Sequence, residues 1–218
     1  YSAPYGMMMA LGCCFYVVLG LFYLRKTLLL YFNDTVTSFT LLSIVLATNL
    51  FYYSTIEPGM SHAYSFALIS LFVWNTIRWH RNKTIKSSLI VGFLVGLITL
   101  IRPTNGLIVL FFMFYNVSSI SSLKEKVFMF WSMKMQLLII VGCAFSVWLP
   151  QLAFWKYATD SWLFFSYGEE GFFFSKPHII DGLFSYRKGW LLYTPIMIFA
   201  LIGIGFLYKK QKELSLPT

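Results

Sequence analysis

Between Lys156 and Lys188 the sequence reads KYATDSWLFFSYGEEGFFFSKPHIIDGLFSYRK, a stretch that mixes carboxylates, cations and rings. Glu169 and Glu170 are adjacent, so each disfavours ionisation of the other, and one of them can serve as a base or a cation ligand. Arg187 and Lys188 supply the positive charge that holds a phosphate, and Lys176, His178 and Tyr186 add further donors. The same stretch also reads as an amphipathic segment lying at an interface, its lysines snorkelling to water.

Two shorter clusters carry similar residue types. Glu57-Pro58-Gly59 forms a turn that leaves Glu57 and His62 close together in sequence, with Ser61 or His62 able to cap the next helix. That second reading makes the cluster an ordinary solvated turn. Arg102 comes directly after Leu100-Ile101 and precedes Pro103. An unpaired guanidinium beside hydrocarbon is costly, so it must pair, snorkel or line a polar cavity. Pro103 pushes Arg102 out of helix, and Thr104 or Asn105 can cap the helix beyond it, which makes a plausible phosphate cradle. A plain headgroup anchor is the alternative.

The elements that must position these residues are apolar. Hydrophobic residues make up 58% of the 218, charged residues only 11%, and aromatics 20%; mean hydropathy is +0.70. Soluble domains carry roughly twice that share of charge, so the composition belongs in lipid. The expected fold is all-α: a polytopic transmembrane bundle of about seven spans, at the usual length of about 20 residues each. The segments run near Met7–Leu24, Val36–Ser54, His62–Trp79, Ser88–Ile101, Gly106–Ile120, Met135–Trp155 and Trp190–Tyr208. Residues 1–218 read as one membrane domain, with 156–189 as a long outer loop holding interfacial helical pieces. The fourth and fifth segments are short and separated only by 102–105. Thr27–Phe32 and Lys124–Lys134 read as surface helices.

The net charge of +9 does not indicate nucleic acid, because the cations sit in short clusters between apolar runs. Arg25, Lys26, Arg78, Arg81, Lys83, Lys86, Lys124, Lys126, Lys134, Lys209, Lys210 and Lys212 fall on alternate junctions. Arg102, Lys156, Lys176, Arg187 and Lys188 fall on the others. The positive-inside rule places the larger set in the cytoplasm, with Tyr1 outside and Thr218 inside. All three chemically promising clusters then share the outer face. Cys13, Cys14 and Cys143 lie within apolar runs and read as packing residues. The chain opens on Tyr1-Ser-Ala-Pro rather than Met, and reads as an excerpt of a longer protein. It has no phosphate-binding glycine loop, zinc-protease signature or nucleophile elbow. Nor does it carry the intramembrane carboxylate relay usual in proton-driven transporters.

Three stretches, MSHAYSFAL (60–68), GLITLIRPTNGLIVL (96–110) and YGEEGFFFSKPHIIDGLFSYRKGWLLYTPIM (167–197), resemble bacterial membrane glycosyltransferases of the protein-mannosyltransferase-like, C-type superfamily, in a Bacteroidetes-like branch. The resemblance implies an enzyme of the bacterial inner membrane. It would move a sugar from a polyprenyl-phosphate donor to a lipid or glycan acceptor on the outer side, with inversion. No cofactor is implied; a divalent metal on Glu169 and Glu170 is an open option. The family's base lies in a first outer loop that this sequence lacks, so Glu57, Glu169 and Glu170 are candidates for orienting the acceptor. Arg102, Arg187 and Lys188 are expected on the phosphate, with His62, Lys176, Asn105, His178 and Tyr186 around the substrate. A flippase of lipid-linked sugars and an O-antigen-polymerase-like enzyme are the alternatives.

Overall fold

The computed structural model describes residues 2–164, 175, 177–187 and 189–210, and these are all helix and connection, without strand. Helix α1 spans Ala3–Leu28, with proline in its first turn and Arg25 and Lys26 in its last, where cations suit the helix dipole. Arg25 reaches Asp34 at 2.9 Å, and Asn33 caps α2 (Asp34–Ala47) by accepting from the Val36 N–H. After α3 (Leu50–Thr55) come α4 (Ser61–Arg81) and α5 (Ile85–Ile101), the latter opened by a Thr84–Ser87 capping box. A 3-10 turn (Pro103–Ile108) leads into α6 (Val109–Phe114). Next come α7 (Ile120–Ser132) and α8 (Lys134–Thr159). The described chain closes with α9 (Ile179–Phe184), α10 (Trp190–Tyr193) and α11 (Met197–Lys210).

Four long helices stand in a row, α1 against α4, α4 against α5 and α5 against α8. Glycines set the closeness of two of these seams. A Cβ on Gly92 would lie 2.5 Å from the Ile140 carbonyl oxygen, and one on Gly96 would lie 2.7 Å from Val147 Cβ and 2.8 Å from the Ala144 carbonyl oxygen. Gly92 and Gly96 are four apart on α5, one above the other, so they form a flat strip on which α8 rests backbone to backbone. Gly20 on α1 meets Phe66 and Ala67 of α4 in the same way, at 2.7 Å from the Phe66 ring.

The main core holds Leu68, Phe72 and Trp79 of α4, Val91, Leu94 and Ile98 of α5, Phe112 and Ile140. Trp79 is fully buried, and its indole N–H donates to Ser88 Oγ at 2.8 Å across the α4–α5 seam. Ser88→Ala strands that N–H in apolar surroundings, and should lower stability by about 1–3 kcal/mol. A detergent-solubilised thermal melt of the variant beside the parent measures it.

The helices do not match seven unbroken spans. The second apolar segment divides at Thr48-Asn49 into α2 and α3. The Thr48 hydroxyl there serves both the Ile44 carbonyl and the Leu50 N–H. The fifth becomes the 3-10 turn and the six-residue α6, and the last divides around Pro195, which has no N–H to continue a helix. Residues 27–28 belong to α1 and 29–32 to the turn after it, whereas 120–132 do form a separate helix. Among the described residues two helices, α1 and α8, are long and apolar enough to cross a membrane by length and composition. At 26 residues each they measure about 39 Å, against a hydrocarbon core of about 30 Å.

Candidate functional site

The end of the row formed by the start of α4 and the close of α5 gathers polar groups from three segments. Glu57 begins the turn into α4, where its carbonyl accepts the Met60 N–H at 3.0 Å. Its carboxylate accepts the Tyr52 hydroxyl at 3.0 Å, so the last turn of α3 holds it in place. Tyr64 ties the turn down from the other side by donating to the Pro58 carbonyl at 3.1 Å. His62 stacks on Tyr53, ring centroids 4.0 Å apart and planes at 24°. Neither Ser61 nor His62 caps α4: Met60 holds the N-cap position and makes no side-chain cap bond.

Arg102 comes to the same corner from α5. It ends that helix in extended conformation, φ −150° and ψ 117°, as the proline after it requires. Its carbonyl then accepts the Asn105 N–H at 2.9 Å, starting the 3-10 turn. Neither Thr104 nor Asn105 caps a helix; the Asn105 side-chain amide instead donates to Ser65 Oγ on α4 at 3.0 Å. Because His62 and Ser65 are three apart on α4, they share one face, and the Asn105–Ser65 bond brings the arginine's loop onto it. Arg102 and Glu57 are both near enough for their charges to act on the His62 imidazole. Arg102 as a residue is half-buried, and its guanidinium makes no ion pair and no hydrogen bond among the described residues.

Of the third cluster, residues 175 and 177–187 are described. Pairing there is local: His178 Nδ1 and Asp181 Oδ2 lie 3.2 Å apart, both side chains exposed. Tyr186 is 91% exposed and Arg187 is exposed too, while the Tyr186 carbonyl accepts the Tyr193 hydroxyl at 3.0 Å. Helix α9 packs on α10. Among the described residues no hydrogen bond, ion pair or ring contact joins His178, Tyr186 or Arg187 to Arg102, Asn105, His62 or Glu57. Glu169, Glu170, Lys176 and Lys188 lie outside the described residues. No three His, Cys, Asp or Glu side chains gather as a metal-ligand set among the described residues.

Comparison with protein-family models, with curated proteins and with solved structures finds no match to this chain. Function must therefore be read from the corner itself. It presents one carboxylate held by a tyrosine, one imidazole stacked on a ring, and one arginine with unused donors. Such a set can orient a hydroxyl at Glu57 and hold an anion at Arg102. Tyr52, Tyr53 and Ser65 complete it. Only the sequence positions of the tyrosines, directly before the turn, hint at their part.

Proposed function

We propose that this chain is part of a bacterial inner-membrane glycosyltransferase, which moves a sugar from a polyprenyl-phosphate donor to a lipid or glycan acceptor outside the cytoplasm, with inversion. The observation that carries the reading is the half-buried Arg102, whose guanidinium has no ion-pair partner among the described residues, in the corner that also holds Glu57, His62 and Asn105. A cation in that setting is stabilised by an incoming phosphate, and the phosphate on a polyprenyl chain arrives at membrane depth.

The apolar surface supports the membrane part. Only 11% and 6% of the most apolar stretches of α1 and α8 are buried within the protein. Met7, Leu11, Phe15, Val18 and Phe22 of α1 and Leu138, Val141, Phe145 and Leu149 of α8 all face outward. A soluble protein rarely exposes patches of this size, and lipid is the natural solvent for them. The seven-segment arrangement, with the Arg102 end outside, belongs to the same proposal.

In the reaction, the acceptor oxygen forms a bond to the anomeric carbon as the bond from that carbon to the phosphate oxygen breaks. The electron pair leaves with the phosphate, and the acceptor proton passes to a carboxylate. Arg102 stabilises the departing charge. Glu57 orients the acceptor hydroxyl, and Glu169 and Glu170 are further candidates for that role. Arg187, Lys188, Lys176, His178 and Tyr186 of the long loop are proposed to bind the substrate as well. The donor brings its own activated bond, so no cofactor is required.

The test is incubation of the intact protein in vesicles with a labelled polyprenyl-phosphate sugar. Label moving to an acceptor without nucleotide sugar supports the proposal. Label crossing the bilayer unchanged marks a flippase instead, and a strict need for nucleotide sugar refutes the donor class. Orientation has its own check. Single cysteines at positions 57 and 104 should react with an impermeant maleimide from outside, and one at position 83 should not; the opposite pattern reverses the topology.

A further inference from the structure

The other end of α4 holds a second polar site. From His62 to His80 the helix rises about 27 Å, so this end is separate from the corner described above. A cavity of about 430 Å³ opens there, lined by His80, Lys83, Asn116, Ser118, Ser122, Glu125, Lys126 and Met129. Lys126 is its unusual member. On an amphipathic helix such as α7 a lysine is expected to reach water, yet Lys126 is only 8% exposed. Its ammonium donates to the Tyr115 carbonyl at 2.6 Å and sits 5.6–5.8 Å from the Phe130 and Tyr115 rings. No carboxylate lies within ion-pair distance of it among the described residues.

Glu125 also lines the cavity but forms no ion pair with Lys126 among the described residues. Lys83 bonds the His80 carbonyl at 2.9 Å and also lacks an acidic partner among the described residues. The His80 ring places Nδ1 2.9 Å from the Thr76 carbonyl, which can only accept, so Nδ1 carries the proton. Its Nε2 is buried without a partner. Ser118 and Ser122 bring hydroxyls and Asn116 an amide. Asn116 takes φ 64° and so turns the chain sharply between α6 and α7. Burying an ammonium without a counter-charge is expensive, and an anion in the cavity would remove that cost.

We infer that this cavity is a phosphate-binding site on the cytoplasmic face, with Lys126 and Lys83 as its cationic ligands and the Ser118, Ser122 and Asn116 side chains as neutral donors. The ligand is a phosphate group, carried either by an anionic lipid headgroup or by a small soluble phosphate. Burial first, and then Lys83, lower the Lys126 pKa to about 8. The titratable groups facing it are Lys83, His80, Tyr115 and Glu125. Phosphate binding therefore weakens as pH rises through about 8, where the ammonium loses its proton.

The experiment is amine labelling of the full chain in phosphatidylcholine vesicles permeable to reagents, at pH 7.5 and constant ionic strength, read by peptide mass spectrometry. Lys124, exposed on the same helix, is the internal reference. One arm adds inorganic phosphate, and the other replaces part of the lipid with phosphatidylglycerol. Slowing of Lys126 acylation by about threefold or more, with Lys124 unchanged, supports the site. Phosphate acting alone marks a soluble ligand, and phosphatidylglycerol acting alone marks a headgroup. No slowing in either arm overturns the proposal, as does equal slowing of Lys124. So does a Lys126 that never reacts in plain phosphatidylcholine, since an open cavity must admit a small reagent. As a second measurement, Lys126→Met should abolish any phosphate-dependent rise in melting temperature, and a rise that persists also overturns it. Neither readout depends on sugar transfer.

Discussion

Replacing Arg102 with alanine should lower sugar transfer by about 100-fold or more while leaving the protein in the membrane at normal level. Removing one preorganised donor to developing charge costs about that much in enzymes where it has been isolated. The guanidinium makes no bond that the described fold depends on, so stability should change little. Arg102→Lys keeps the charge but loses the planar fork, and should recover only part of the rate. Turnover assayed at saturating donor, with membrane abundance measured beside it, separates the two effects. An unchanged rate removes Arg102 from the site.

The second large effect lies at the α5–α8 seam. Gly92→Leu puts a side chain where even a Cβ meets the Ile140 carbonyl at 2.5 Å, and backbone cannot move aside as a flexible side chain can. Overpacking typically costs about 1–3 kcal/mol, and a seam of two glycines should sit at or above the top of that range. The Trp148 indole N–H donates to Thr99 Oγ1 at 3.0 Å across the same seam, and separation of the helices would break that bond too. Loss of the folded fraction in a detergent melt, with Gly142→Leu as a control where a Cβ meets nothing within 4 Å, checks the claim.

How far these features can be read from the sequence depends on the residue. Glu57, His62, Arg102 and Asn105 stand out because each interrupts an apolar run, and alternation of segments sends all of them to one end. Their mutual contacts are less legible. Asn105 reads as a cap, yet it bonds Ser65, because the 3-10 turn carries its amide towards α4. Gly92 and Gly96 hardly alter mean hydropathy, so a reading by apolar runs passes over the strip on which α8 packs against α5. The break at Thr48-Asn49 escapes for a similar reason, since apolar residues continue on both sides of it. Lys126 is legible as a charge but not as a buried one. Its burial depends on the turn at Asn116 bringing Tyr115 over it. The long loop is the reverse case: its chemistry is plain in the sequence, while Glu169, Glu170, Lys176 and Lys188 lie outside the described residues.

The most direct measurement is photo-crosslinking of the intact protein, in vesicles, with a polyprenyl phosphate carrying a photoreactive group beside its phosphate. Adducts at 57–65 and 102–105, lost on competition with unmodified polyprenyl phosphate, are the expected result. Adducts confined to the opposite end of the helices, or spread along α1 and α8 and insensitive to competition, would contradict it.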